Sequence, residues 1–495
     1  MTLRFHNTLS RTLEPFQPRE PGHVSIYTCG PTVYDRAHIG NFRTFVWEDL
    51  LRRYLQFRGY EVEQVMNLTD VDDRTIGAAA ERGTSLAEIT EPVIEHFHED
   101  WQTLGLAAVE HSPRATAHVP QMVEIVKALE ANGYTYEVDG SVYFAIDRLA
   151  GYGRLVNLDP ADLGRSERIE GDEEYTKENP RDFVLWKGGD RDVEGDVATW
   201  DSPWGPGRPG WHLECSAMAI EYLGPELDIH TGGVDNIFPH HTNEMAQSEA
   251  ATGRPFARYW LHAEHLLVDG AKMSKSLGNF YTIPDLLEAG YRPSAIRYLL
   301  LSAHYRKQLN FTLDGLVNAE RALDRMEEFR QRLQERNADA EAGDAPDRLF
   351  DLSARARDEF EAAMDDDLNV SDALGAVFTL VRDGNRLLDA TGPVSEAGLE
   401  AARGFLRDFD SVFGVMSVRD RERTALPESL ERWVADRVGE REDARRQRDW
   451  ARADAIRDEL QEHGIVLEDG PEGTRWRVSG AVSADLAATP QRVDG

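Results

Sequence analysis

The chain has 495 residues and a mass of 55.8 kDa, more than one ordinary domain holds, so three or four folded units are expected. With 41 % hydrophobic and 9 % aromatic residues it is globular rather than disordered; 89 acidic against 55 basic residues give a formal charge of −34 and a pI near 4.8, which by itself argues against a nucleic-acid partner. Only six basic residues are lysines, and a carboxylate-rich, lysine-poor surface repels itself in dilute buffer but is screened at molar salt, where the Debye length is about 3 Å; the composition predicts a halophilic protein whose global charge is a poor guide to its partners.

The opening segment MTLRFHNTLSRTLEPF lacks the hydrophobic core of a secretory signal, and no apolar run approaches the roughly 18 residues of a membrane span, so a cytoplasmic protein without membrane contact is expected. Residues 23–29, HVSIYTC, read as a buried strand between Gly22 and Gly30. After a turn at Pro31, Ile39, Phe42, Val46, Leu50 and Tyr54 recur at three- and four-residue spacing, a helix that stops at Gly59 before a second strand, EVEQVMN. Strand, helix and strand at this length predict a Rossmann-type parallel sheet. Short strands such as SVYFAI, the acidic run RIEGDEEYTKENPRD and the proline-rich SPWGPGRPG break the rhythm, which predicts an inserted domain over 115–205. Sheet pattern returns with ELDIHTGG and with Tyr259 to Gly270, where Asp269-Gly270 marks a tight turn.

The expected organisation is therefore a parallel sheet split into halves at 1–114 and 206–265, a loop region over 266–314, and a helical bundle over 315–425 interrupted by RNADAEAGDAP. A small unit over 430–478 opens with an arginine-rich helix and ends in GIVLEDG and TRWRV; the tail, 480–495, is predicted to be disordered.

Two segments carry chemistry in their own right. His38-Ile39-Gly40-Asn41 opens the first helix, where unpaired N–H groups and the helix dipole welcome an anion and Gly40 lets a base or ribose approach the backbone; a helix-opening histidine is equally a plain cap. Lys272-Met273-Ser274-Lys275-Ser276 concentrates two of the six lysines in five positions, and a lysine is a compact, mobile charge suited to phosphates whose geometry changes. Cys29 and Cys215 are the only cysteines; so few suggest a reducing compartment, and the pair reads as one bridge, two buried thiols or metal ligands. His240 and Glu244, at i and i+4, share one helical face.

Strand, HIGN helix and KMSKS loop resemble the two signatures of class I aminoacyl-tRNA synthetases, and CGPTVYD, MNLTDVDDR, GWHLECSAM and FPHHTNEMAQSEA resemble the cysteinyl-tRNA synthetase family; DARRQRDWARADAIRDEL and GIVLEDGPEGTRW are similar to that family's anticodon-binding domain. The resemblance spans nearly the whole chain. It implies an α/β fold with a Rossmann-type sheet split by an insertion, a helical bundle and an anticodon-binding unit. It places one zinc ion on Cys29, Cys215, His240 and Glu244, and Mg²⁺ with ATP. Gly30, Thr69, Trp211 and Asp235 would line the amino-acid pocket, Asp235 beside the α-ammonium. His38, Gly40 and Lys275 would bind ATP, with Lys272 assisting, and His38, Asn41, Lys272 and Lys275 form the catalytic set. Asn41 stands where the signature has a second histidine and cannot carry a proton charge. From the residues alone, Trp211 reads equally as core and Asp235 as a turn carboxylate.

The implied reaction is attack of the cysteine carboxylate on the α-phosphate of ATP, then transfer of the cysteinyl group to tRNA(Cys) by a monomeric enzyme. Serine differs from cysteine by one atom, and shape alone rejects such an isostere only about 10²-fold, whereas a metal reads sulfur directly. With three anionic ligands the zinc site carries residual negative charge, so Glu244 is expected to loosen when a substrate thiolate arrives. A cysteine to amino-sugar ligase of the mycothiol pathway shares these motifs but lacks the anticodon unit, and a non-catalytic RNA-binding relative need not keep both lysines. Residues 431–460 hold nine acids and eight arginines, and Arg437, Arg441, Arg445, Arg448 and Arg452 form either a basic face or a salt-bridged one. Trp433, Trp450 and Trp476 read as stacking or core residues.

Overall fold

The computed structural model describes residues 2–156, 181–189, 198–274, 278–339, 347–390, 393–424, 428–463, 465–470 and 473–478. Most of the acidic run, Lys275 and the tail from 479 onward lie outside them.

A four-stranded, all-parallel sheet runs in the order Ala257–Ala263, Leu227–Gly233, His23–Thr28, Glu61–Met66. The strand His23–Thr28 is central and nearly all buried, as its β-branched and aromatic content requires. From it the chain crosses to Glu61–Met66 on one side and, after the insertion, to Leu227–Gly233 on the other, so the strand order reverses between these two neighbours. Such a reversal opens a crevice at the C-terminal strand ends, where Cys29 and Gly232-Gly233 lie. The helix Ile39–Phe57 packs on one face with Ile39, Phe42, Val46, Leu50 and Tyr54 fully buried. Trp211–Leu223 packs against the strands His23–Thr28 and Glu61–Met66.

Between the halves, Thr135–Val138, Ser141–Phe144, Phe183–Gly188 and Gly207–Pro209 form a separate antiparallel sheet. Beyond the last parallel strand, Leu266–Val268 pairs with Ala271–Lys272 across Asp269-Gly270, both at positive φ (51° and 79°), the geometry of a two-residue hairpin turn. Leu309–Phe311 adds in parallel on the other side.

The bundle is built from Leu313–Glu335, Arg348–Asp365, Val370–Asp389, Glu396–Phe413 and Val415–Thr424, whose inward stripes bury Leu323, Phe329, Phe360, Val377, Leu380, Phe405 and Phe409. Between the second and third of these helices, Asp367 and Leu368 both hold left-handed φ values, 60° and 54°. Each such non-glycine residue costs about 1–3 kcal/mol and persists only where its surroundings over-determine it.

Two arginines buried to 1 % and 0 % tie the layers together, and nothing in the local pattern announced them. Arg43 donates to the carbonyls of Leu300, Ala303 and His304. Arg297 pairs with buried Asp49 and donates to the carbonyls of Phe413 (2.6 Å) and Leu104 (3.1 Å). Without Arg297, buried Asp49 keeps Arg53 Nε at 2.7 Å and the Ala107 N–H at 2.8 Å, so Arg297→Met is expected to lower unfolding free energy by about 1.5–3 kcal/mol, the worth of a hydrogen bond to a charged group, in denaturant titrations.

The last unit comprises Glu428–Arg446, Trp450–Glu462 and the hairpin Ile465–Gly470 with Gly473–Val478. The expected run of arginines does not form one helical face: the first helix ends at Arg446, Arg448 sits in the turn at φ 60°, and Arg452 belongs to the second helix. Arg437 meets Glu440 and Glu459, Arg452 meets Glu440 at 3.5 Å, and Arg441 is buried beside Thr474. Trp433 packs against the small core of Val434, Ile456, Leu460 and Ile465, while Trp450 is 59 % exposed; the Trp476 side chain is outside the described residues.

Candidate active site

At the crevice, ligand atoms of Cys29, Cys215, His240 and Glu244 all lie within 4.8 Å of one another. The sheet supplies Cys29 just past the end of its central strand, the helix Trp211–Leu223 supplies Cys215, the segment Ile237–His241 supplies His240, and the first turn of the helix Thr242–Thr252 supplies Glu244. His240 Nε2 stands 2.9 Å from Glu244 Oε1, the i and i+4 relation surviving although the backbone around Ile237–His241 is irregular.

Donor spacing tests the fit to zinc. With Zn–S about 2.3 Å and Zn–O about 2.1 Å, a tetrahedron has edges of about 3.8 Å between two sulfurs and about 3.6 Å between sulfur and oxygen. Cys29 Sγ lies 3.8 Å from Cys215 Sγ and 3.6 Å from Glu244 Oε1. These two edges fit the ion, while His240 Nε2 and Glu244 Oε1, at 2.9 Å, stand at hydrogen-bond distance and would part to about 3.4 Å around it.

Buried charges in this cluster are tightly interdependent. The hydrogen bond from Cys29 draws the Cys215 thiol down to about 6, while burial, with the neighbouring Cys215 and Glu244, pushes Cys29 well up. Against burial, the Glu244 charge and the Cys215 thiolate raise His240 to about 10; against burial too, His230 and His240 hold Glu244 at about 2. A metal ion held by these ligands would compete with their protons, so its binding is expected to release them.

A shell of histidines surrounds this set, and sequence reasoning missed it. His230 Nε2 contacts Glu244 Oε2 at 2.9 Å; His212 Nδ1 contacts His240 Nδ1 at 2.9 Å; His241 Nδ1 meets His262 Nε2 at 2.8 Å, and His262 Nδ1 meets the Thr8 hydroxyl at 2.8 Å. Burial pushes His212 and His262 down to about 3 and His241 well down, so these rings act as neutral hydrogen-bonding groups. The available signal was that five of the chain's 15 histidines sit in the motifs WHLEC, DIHTGG, FPHH and WLHA. A second donor set, Cys29, His230, His241 and Glu244, overlaps the first but offers only one sulfur.

The pocket residues fall around the same crevice. A Cβ on Gly30 would sit 1.7 Å from the Asn67 carbonyl oxygen, and the Gly30 N–H donates to Asn67 Oδ1 at 2.9 Å. Gly30→Ala is expected to cost roughly 1–3 kcal/mol by overpacking, read as a lowered Tm. Thr69 is buried and accepts from Asn67 Nδ2 at 2.9 Å. Trp211 is not core: it is 47 % exposed, its ring centroid 4.4 Å from that of His240. Asp235 is exposed on the turn after Gly232-Gly233.

The anion-binding side is assembled by contact between distant segments. His38 caps the helix Ile39–Phe57: its Nδ1 accepts from the Asn41 N–H at 3.2 Å, and Asn41 Oδ1 accepts from the His38 N–H at 3.0 Å. This reciprocal cap leaves the ring hydrogen on Nε2 and engages the Asn41 carboxamide oxygen, so Asn41 shapes the helix start while its Nδ2 group keeps the capacity to donate a neutral hydrogen bond. Ile39 N–H donates to the Tyr281 carbonyl at 3.0 Å, and the His38 and Phe280 rings lie 5.1 Å apart. Met273 Cε would lie 2.6 Å from a Cβ on Gly40, so the lysine loop occupies the space expected for a base or ribose. Ser274 N–H donates to Asn279 Oδ1 and Asn279 Nδ2 to the Lys272 carbonyl. Lys272 is exposed; Lys275 is outside the described residues.

Residues 15–321 match the family model described as tRNA synthetases class I (C) catalytic domain, 359–417 the DALR domain, and 438–477 the cysteinyl-tRNA ligase anticodon binding domain. A cysteine–tRNA ligase of Brachyspira hyodysenteriae is 46 % identical over 475 residues, covering 96 % of this chain and 98 % of that one. One from Chlamydia pneumoniae is 48 % identical over 474 residues, with 96 % and 98 % covered. Among solved structures, a Mycobacterium tuberculosis methionyl-tRNA synthetase in complex with methionyl-adenylate superposes with TM-score 0.56 at 16 % identity, over 83 % of this chain and 92 % of that one, a likeness of fold. No helix among the described residues is long and apolar enough to cross a membrane. Family models along three stretches and relatives matched over nearly their full length place this chain in the cysteine–tRNA ligase family of class I aminoacyl-tRNA synthetases.

Proposed function

We propose that this chain, an ATP-dependent cysteine–tRNA ligase by family, selects its amino acid at a zinc ion held by Cys29, Cys215, His240 and Glu244 and activates it between the His38 helix start and the lysine loop. The donor spacing at the crevice is the observation that carries this reading. When bound, zinc supplies a soft Lewis acid that distinguishes a thiolate from a neutral hydroxyl.

The chain's own groups do the rest. His230 holds Glu244 from behind, so a Glu244 that loosens as cysteine arrives keeps a partner. Trp211 covers the outer side of His240, and exposed Asp235 offers a carboxylate to the α-ammonium. With Gly30 and Thr69 these complete the amino-acid pocket. ATP, with Mg²⁺ as its counterion, lies along the HIGN helix start. His38 Nε2–H and the helix N-terminus face the α-phosphate, Gly40 keeps the backbone approachable once Met273 moves aside, and Lys272 and Lys275 meet the charge developing on the outer phosphates. The carboxylate of cysteine displaces pyrophosphate, and the acyl group then passes to the terminal ribose of tRNA(Cys).

Cysteine-dependent exchange of pyrophosphate into ATP, followed by charging of tRNA(Cys) with serine as control, tests the reading. Both are expected with cysteine alone. Exchange without charging points to a different acceptor, and neither activity with zinc-replete protein overturns the proposal.

A further inference from the structure

Where the bundle helix Arg348–Asp365 ends and the connection to Val370–Asp389 begins, three consecutive aspartates each grip a different part of the catalytic half. Asp365 Oδ1 accepts from the Tyr54 hydroxyl at 2.7 Å and lies 3.4 Å from Arg58 Nε, both at the far end of the helix that His38 caps. Asp366 pairs with Arg4 at 2.6 Å. Asp367 is buried: its Oδ1 accepts from the His6 N–H at 2.8 Å and the Tyr305 hydroxyl at 2.6 Å, and its Oδ2 from Arg306 Nε at 2.6 Å.

From Tyr305, which Asp367 holds through its hydroxyl, backbone pairing leads on to the lysine loop. The Tyr305 carbonyl accepts from the Glu264 N–H at 2.7 Å. Four residues on, Leu309–Phe311 pairs with Leu266–Val268, which pairs with Ala271–Lys272; the turn between them is pinned by Gly270 N–H donating to Asn310 Oδ1 at 2.7 Å. Trp47, on the His38 helix, stacks on Tyr305 at 4.5 Å. Asp365 therefore holds one ATP-gripping element and Asp367 the other, from a single helix end. The backbone leaves the helix at Asp366 and is left-handed at Asp367 and Leu368, an unfavourable geometry kept by the donors that converge on Asp367.

We infer that Asp365 and Asp367 are positioning residues that set the distance between the His38 helix start and the Lys272 hairpin, so that both close on the triphosphate in register. The inference rests on the nucleotide site proposed above. A shift of about 1 Å at reacting groups costs on the order of 10²-fold in rate, so a clasp far from the chemistry has leverage.

Asp367→Asn keeps the volume and tolerates the left-handed backbone but removes the charge facing Arg306. In zinc-replete protein, kcat/KM for ATP in pyrophosphate exchange is expected to fall about 10–100-fold, with the KM for cysteine and the zinc content unchanged. Tyr305→Phe breaks the same contact from the other side and serves if Asp367→Asn does not fold; combined, the two changes are expected to cost less than their sum. ATP parameters within twofold of wild type, or losses for ATP and cysteine in step with a lowered Tm, overturn the inference. Amide hydrogen exchange over residues 266–272, measured without amino acid, judges it apart from the functional reading. Faster exchange in the variant supports the clasp and unchanged exchange overturns it, even if the wild type exchanges no pyrophosphate with cysteine.

Discussion

Cys215→Ala is expected to empty the metal centre and collapse the choice of cysteine over serine. Three donors remain, but the site loses one of its two sulfurs and the thiolate that holds His240, so zinc affinity should fall by more than the roughly 10–100-fold lost with an outer-shell partner. Discrimination against serine should then drop toward the roughly 10²-fold that shape supplies. Metal content by elemental analysis and the ratio of kcat/KM for cysteine and serine in pyrophosphate exchange are the readouts. The same substitution separates the two overlapping donor sets. An ion held by Cys29, His230, His241 and Glu244 would survive Cys215→Ala and be lost in His241→Ala, the reverse of the outcome expected here. The geometry favours the first set because His230 meets Glu244 through Oε2, while Oε1 faces Cys29 and His240.

His38→Asn should separate the two duties of that residue. Asparagine is among the strongest N-caps, so the helix Ile39–Phe57 keeps its first turn and Tm should barely move. The Nε2 donor is gone, and removing one positioned donor to developing charge costs about 10²–10³-fold in kcat. Cysteine-dependent exchange should fall by that amount with zinc content intact. His38→Ala should show the same kinetic loss and an additional ~1 kcal/mol of instability from the missing cap. Exchange within threefold of wild type in His38→Asn would reduce His38 to a capping residue.

What the sequence determined by itself was whatever depends on neighbours along the chain. The strand HVSIYT, the helix spaced by Ile39, Phe42, Val46, Leu50 and Tyr54, the Asp269-Gly270 turn and the pairing of His240 with Glu244 follow from local periodicity and turn chemistry, and all are present. Motif resemblance joined Cys29 to Cys215, which no spacing rule would have done. Only the tertiary structure decided the rest, because a parallel sheet brings residues to one edge irrespective of their distance in sequence. It gathered His212, His230, His241 and His262 around the donor set and laid Met273 over Gly40. It buried Arg43 and Arg297 between layers, divided the expected arginine face between two helices, and paired Arg437 with Glu459 and Arg452 with Glu440. It also turned three adjacent aspartates toward three separate parts of the catalytic half. Burial and pairing of a charged side chain depend on which surfaces meet, and that is a property of the folded chain, not of any window along it.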